Sequence, residues 1–211
     1  GIVDGFGGTG IGDIVSSNLT GYIHEVFTKA THDQDATLKY FYDSRRSIEC
    51  NFLVNGIMAY NETLMAENET KNLYQRGGAN CLFVIDHGGR VSVVSIGKIY
   101  GLLLRNGKMR SFSNVDDGIG LEITNFVATA DTWTKSALGL FSPLQLQINE
   151  FTTQPGDQII LATIGAVNLV ENDFVLQCFN EQQDKVALAE LFKHANIAGN
   201  RDNQTAILLR Y

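Results

Sequence analysis

Along the first part of the chain, Ile11, Ile14, Val15, Leu19, Tyr22, Ile23, Val26 and Phe27 recur at three- and four-residue spacing. That period predicts an amphipathic helix with one face committed to a core. A second helical stretch is predicted from Asp35 to about Glu67, carrying Leu38, Phe41, Tyr42, Leu53, Ile57, Tyr60 and Leu64, with a break near Asn55-Gly56. Tyr40-Phe41-Tyr42 reads as a helix-packing cluster within it. From Asn80 the period shortens to that of strands: Cys81 to Ile85, a His87-Gly88-Gly89 turn, Val91 to Ile96, Ile99 to Leu104, then Asn106-Gly107 turning into Met109 to Phe112. Those turn residues predict an antiparallel meander. Leu144, Leu146 and Ile148 alternate as a half-buried strand does, Pro155-Gly156-Asp157 marks a turn, and Ile159 to Ala162 is a short apolar run. Asn180 is expected to cap a helix through about Ala195 with Val186, Ala189 and Phe192 on one face, and Thr205 to Leu209 to form a last strand. Helices gathered early and late around antiparallel strands predict an α+β layered domain spanning residues 1–211, with no internal repeat or linker.

Composition narrows the function classes. Sixteen Lys and Arg against 23 Asp and Glu give a formal charge of -7, and no run of basic residues interrupts it. The chain is therefore expected to bind neither nucleic acid nor an anionic membrane surface. Its apolar runs are too short to cross a bilayer. Cys50, Cys81 and Cys178 stand far apart with no C-x-x-C pair, which predicts buried thiols in a reducing, cytoplasmic setting. Asn-x-Ser/Thr sequons begin at Asn18, Asn61, Asn68 and Asn203. Gly1-Ile2-Val3 reads as the middle of a buried strand, so further N-terminal strands are expected to belong to the domain.

The most conspicuous string is Asp4-Gly5-Phe6-Gly7-Gly8-Thr9-Gly10, between a predicted strand and a helix. It contains G-x-G-x-x-G, but a dinucleotide fold needs a βαβ unit with an acidic residue after the next strand. Here Asp33 and Asp35 fall at a helix entry instead. Two readings stay open: glycines that allow backbone to pack on backbone, or a hard-cation site in which the Asp4 carboxylate and neighbouring carbonyls face an ion. A second such carboxylate, Asp202, stands in Arg201-Asp202-Asn203-Gln204-Thr205 before the last strand.

Taken in order, these blocks resemble the metal-dependent Ser/Thr protein phosphatases of type 2C. The matching segments are Val3-Asp4-Gly5 with Gly7-Gly8, Gly78-Ala79-Asn80-Cys81, Val94-Ser95-Ile96-Gly97, Gly101 to Gly107, Pro155 to Thr163 with Gly165, and Asp202-Asn203 with Thr205. The resemblance covers nearly the whole chain. It implies a four-layer α-β-β-α sandwich of two antiparallel sheets flanked by helix pairs. It also implies a site for two Mg or Mn ions whose bound water attacks a phosphoester. Asp4 and Gly5 match the first metal-binding pair, and Asp202 matches the final aspartate.

The departures lie at the chemistry. Where the family has an Asp-Gly pair this chain has Ile164-Gly165; a further family aspartate is Asn168; the Gly-Asp-Ser-Arg block is Gly97-Lys98-Ile99-Tyr100; and the first-motif histidine is Phe6. Ile164 and Lys98 in place of two aspartates remove two negative charges and add one positive, so Mg or Mn is expected to bind weakly or not at all. Lys98 is read either as a tethered cation pairing with Asp4 or Asp202, or as a solvated strand-end lysine. The expectation is a pseudophosphatase with lost metal ligands that acts through protein binding or regulation, its partner a protein or phosphoprotein. The alternative is an active, divergent Mg/Mn-dependent phosphatase whose site is rebuilt with Asp13, Asp157 or Asp173.

Overall fold

The computed structural model describes residues 1–30, 37–113, 136–167, 170–181 and 183–211. Its chain contacts form two compact units, one made by Val3–Gly97 with the stretch ending at Thr152, the other by the stretch from Lys98 and by Thr153–Tyr211.

The first unit holds strands β1 (Ile2–Gly7), β2 (Gly77–His87), β3 (Arg90–Ile96) and β6 (Gln147–Thr152), ordered β1-β2-β3-β6. Helices α1 (Ile11–Ala30) and α2 (Ile48–Glu69) pack together and onto this sheet. Val15, Leu19 and Ile23 of α1 meet Cys50, Leu53, Val54, Ile57 and Leu64 of α2 and Ala79, Cys81, Phe83, Val94 and Ile96 of the strands in one buried cluster. The α1 periodicity thus lands on the core as expected, although Ile14 is left 60% exposed.

The predicted second helix starts later. Ser47 caps α2, accepting from the Cys50 amide at 3.1 Å, and the described residues before it are not helical. Nor does α2 break at Asn55-Gly56. The Asn55 carboxamide accepts from the amides of Tyr40 and Phe41 and donates to the Phe41 carbonyl, clipping that loop to the helix. Gly56 lets α1 close in, because a Cβ there would lie 3.1 Å from Ile23 Cδ1. Tyr40-Phe41-Tyr42 is accordingly a loop: Phe41 packs against the core, the Tyr40 hydroxyl donates to Glu62, and Tyr42 is exposed.

The second unit holds β4 (Ile99–Arg105), β5 (Lys108–Ser111), β7 (Gln158–Thr163) and β8 (Ala206–Arg210), ordered β5-β4-β7-β8, with every neighbouring pair antiparallel. Its helices are α3 (Ile164–Val167), α4 (Asn172–Glu181) and α5 (Asp184–Ile197). Leu102, Leu104, Ile160, Phe179, Ala187 and Leu191 are among its buried cluster. Two details depart from expectation. Asn180 lies inside α4 and caps nothing, while the buried face of α5 is Ala187, Leu191 and Ala195, with Val186 43% exposed. The predicted meander is also divided: β2 pairs with β3 and β4 with β5, but β3 and β4 join different sheets across Gly97-Lys98.

Both predicted hairpin turns form. Gly88 and Gly89 have φ of 62° and 85°, and Asn106 and Gly107 have 53° and 71°, the left-handed geometry that two-residue loops between twisted strands require. Two four-stranded sheets with helices bear out the α+β expectation. Among the described residues no helix is long and apolar enough to cross a membrane.

Candidate functional site

In the first unit the glycine string is a backbone-on-backbone contact. A Cβ on Gly5 would overlap the Gly12 carbonyl and Ser16 Oγ, and one on Gly12 would overlap the Gly5 carbonyl. The start of α1 can therefore press against β1 only if both positions are glycine. Gly7 at φ 141° and Gly10 at φ 77° complete the turn, and the Ile11 amide donates to the Gly8 carbonyl at 2.9 Å. Among the described residues α1 leads to α2 and only then to β2, so no βαβ unit is seen there. The dinucleotide reading lacks its framework. Asp33 and Asp35 lie outside the described residues.

Asp4, partly buried on β1, accepts from Asn80 Nδ2 on β2 at 3.5 Å, a long contact. Asn80 also faces Gly97 (φ 80°), where a Cβ would overlap its Oδ1. The asparagine thus touches two of the segments that carry the type 2C resemblance. Phe6 lies against Gly78: a Cβ at Gly78 would sit 2.5 Å from Phe6 Cζ. A ring packed there has no proton to give and serves to cover the start of β2.

In the second unit, β7 ends in Thr163 and runs straight into α3 at Ile164. The Ile164 side chain, partly buried, packs against the unit's hydrophobic cluster. Gly165 lies against the loop of Asp202, because a Cβ on it would overlap the Asn203 carbonyl and come within 3.2 Å of the Asp202 carbonyl carbon. That loop is closed by its own hydrogen bonds. Asn200 and Asp202 exchange two at 2.9 and 3.2 Å, Asp202 Oδ1 accepts from the Asn203 amide at 3.0 Å, and the Thr205 amide donates to Thr163 Oγ1 at 3.0 Å. Gln204 Nε2 donates to the carbonyls of Gly165 and Phe192 at 3.1 and 3.2 Å, tying α3, α5 and the loop together. Asp202 itself is exposed, Lys98 at the head of β4 is half-buried, and Asn168 lies outside the described residues.

The aspartates considered for a rebuilt site are placed elsewhere. Asp157 is 1% exposed and held by Arg105 Nε and Nη2 at 2.8 and 2.5 Å and by the Gln154 amide at 2.8 Å. Arg105 holds its carboxyl below the usual aspartate range, against the upward push of burial. Asp13 and Asp173 are exposed in the first turns of α1 and α4. Among the described residues no three Asp, Glu, His or Cys side chains form a group able to hold a metal ion. Among the described residues, Ile164 has no donor atom and Asp157 is bound to Arg105, so neither offers a carboxylate to a binuclear centre.

The other candidates resolve into packing. Cys50, Cys81 and Cys178 are free and buried; burial pushes the Cys50 thiol up to about 11 and that of Cys81 higher still, so neither is a nucleophile. His24 and His87 are exposed, His194 stacks on Phe174 at 3.9 Å, and His32 lies outside the described residues. The sequon asparagines Asn61 and Asn68 are buried, with carboxamides bonded to Phe141, Gly77 and Gly139. Asn80 and Gln204 are bridging side chains whose role no local sequence rule assigns. Asn80 follows Gly78-Ala79, and Gln204 stands in Arg201-Asp202-Asn203-Gln204-Thr205, where nothing local marks it as a bridging side chain.

No family model and no curated protein matches the chain. Solved structures do. It superposes on the Mycobacterium tuberculosis serine/threonine phosphatase PstP/Ppp with TM-score 0.75 at 19% identity, over 99% of this chain and 87% of that one. Staphylococcus aureus serine/threonine phosphatase Stp1 gives 0.75 at 14% identity over 99% and 82%. PppA, a regulatory component of the T6SS in Pseudomonas aeruginosa, gives 0.70 at 18% over 99% and 84%. A further PstP catalytic-domain structure, at TM-score 0.68, is a complex with two manganese ions. At such identities the likeness is one of architecture, and the architecture of this chain is that of the PPM, or type 2C, serine/threonine phosphatases.

Proposed function

We propose that this chain is a pseudophosphatase: a type 2C phosphatase fold that has lost metal-dependent turnover and acts by binding a protein partner or phosphoprotein. The observation that carries the reading is the commitment of Ile164 to the hydrophobic cluster of the second unit, at the position where the resemblance calls for a metal carboxylate. An aliphatic side chain there contributes packing energy and no charge, whereas paired dications need several carboxylates to offset their mutual repulsion. The Asp202 loop supports the same reading, since Gln204 and Thr163 hold it through hydrogen bonds of the chain itself.

The test is direct. The purified chain with an aryl phosphate and Mg or Mn should show no hydrolysis above background, and calorimetry should detect at most one weak metal site. Mn-dependent turnover abolished by Asp4→Ala would overturn the proposal in favour of an active, divergent phosphatase.

A further inference from the structure

The chain contains two Asn-Gly pairs, Asn55-Gly56 and Asn106-Gly107, and the fold treats them oppositely. An asparagine carboxamide followed by glycine is open to attack by the next backbone nitrogen, because glycine has no Cβ to hinder the approach. At Asn55 that attack is blocked. The residue is 8% exposed, its side-chain oxygen accepts from Tyr40 and Phe41, its nitrogen donates to the carbonyls of Phe41 and Asn51, and Gly56 lies in the middle of α2. Asn106 and Gly107 instead form the exposed two-residue turn between β4 and β5, which closes at the Arg105–Lys108 pair. Among the described residues neither the Asn106 carboxamide nor the Gly107 amide is held by a hydrogen bond, and nothing lies within 4 Å of where a Gly107 Cβ would stand. The exposed Lys108 comes next, a cation beside the nitrogen that must lose its proton.

We infer that Asn106 is a site of spontaneous covalent modification, its carboxamide converted by the chain's own backbone into aspartate and isoaspartate. The Gly107 nitrogen attacks Asn106 Cγ: the N–Cγ bond forms, the Cγ–Nδ2 bond breaks, and Nδ2 leaves as ammonia carrying the proton lost by the Gly107 amide. Water then opens the cyclic imide. Cleavage of its bond to Cγ leaves an ordinary aspartate, and cleavage of its bond to the Asn106 backbone carbonyl carbon leaves isoaspartate, with the chain running through Cβ and Cγ. No oxidant or reductant is consumed; water enters, ammonia leaves, and the net charge becomes one unit more negative than -7. The two products differ in what they do to the fold. Aspartate tolerates the φ of 53° at this position, whereas isoaspartate adds a backbone carbon to a turn whose length sets the register of Leu104 on Met109 and of Leu102 on Ser111. The strand β5 is a four-residue edge strand whose Met109 is 4% exposed, so the isoaspartate form loosens a buried side chain of the second unit.

The whole chain, aged while folded in mildly alkaline buffer and mapped by peptide mass spectrometry, should show the amide-to-acid mass gain at Asn106 at least about tenfold faster than at Asn55, because Asn55 reacts only through opening of α2. In denaturant, where both pairs are solvated, the two rates should come within about threefold of each other. An isoaspartyl methyltransferase with labelled S-adenosylmethionine should mark the aged chain, and Asn106→Gln should remove most of that label. Gly107→Ala should slow conversion at Asn106 at least about tenfold; the comparison of Asn106 with Asn55 in the unaltered chain stands even where alanine at φ 71° disturbs the turn. A folded chain that keeps its Asn106 amide while the denatured chain loses it, conversion at Asn55 as fast as at Asn106, or label undiminished by Asn106→Gln overturns the inference.

Discussion

At the scale of single residues, Ile164 decides most. A carboxylate at this position would stand at the start of α3 with its neighbours drawn from an apolar cluster. Ile164→Asp should therefore not create a metal site: the charge would be desolvated without the further carboxylates a dication needs, costing on the order of 2–4 kcal/mol in chemical denaturation. The expected outcome is a lower midpoint with Mn present or absent; a variant that Mn restores to wild-type stability would contradict it. That Ile164 and Phe6 stand where the resemblance implies a carboxylate and a histidine was legible in the sequence, because it needs only residue identity. That Phe6 covers Gly78 and Asn80 bridges Asp4 and Gly97 was not, because Phe6–Gly78 and Asp4–Asn80 join residues more than seventy positions apart and Asn80–Gly97 is set by how the strands pair.

At the scale of elements, the start of α2 is locked to its sheet by one carboxylate. Glu150 of β6 accepts from the Ser47 hydroxyl and amide, the Ser92 hydroxyl and Arg90, at 2.7, 3.2, 2.7 and 3.2 Å, and its side chain is only 10% exposed. Burial pushes its pKa up, but the Ser47 and Ser92 hydroxyls and Arg90 outweigh that, and the net shift is downward. A depressed carboxylate stabilises the fold at pH above its unfolded value, near 4.5, and that contribution disappears as pH falls through the lower folded value. Asp157, lowered by Arg105, adds a parallel loss in the same acid range. Unfolding followed from pH 7 to pH 3 should show stability falling below about pH 4.5. Glu150→Gln should cost about 2 kcal/mol at pH 7, less at pH 3, and flatten that fall; equal losses at both pH values would refute the latch. The helical period of α1 and the Gly88-Gly89 and Asn106-Gly107 turns were readable in advance, since each is a local rule. The late start of α2 was not: the Asn55 clip and the Ser47–Glu150 lock are tertiary, and apolar residues in the 38–42 loop mimic helical spacing.

At the scale of the whole molecule, metal should leave stability nearly unchanged. A ligand that binds only the folded chain adds RT ln(1 + [L]/Kd), about 4 kcal/mol for each site held at a thousandfold excess over Kd and about 0.4 kcal/mol when ligand merely equals Kd. Thermal unfolding with EDTA and with about 1 mM Mn should differ by no more than about 2 °C, equivalent to occupancy of a single weak site. A rise of ten degrees or more would require tight binding and would count against the proposed function.

Much of this protein follows from the sequence by itself: the α+β class, the antiparallel hairpins, the buried thiols and the type 2C phosphatase architecture that its glycine and aspartate blocks resemble. Each of these depends on residue identity and on spacing within a few positions, where backbone geometry is nearly context-free. Tertiary structure alone decided that the predicted meander is divided between two sheets at Gly97-Lys98, that Asp157 belongs to Arg105, that Asn61 and Asn68 are internal staples, and that Ile164, partly buried, packs against the second unit's cluster. In each case the deciding partner lies on another element, and burial fixes which of a side chain's available bonds it makes.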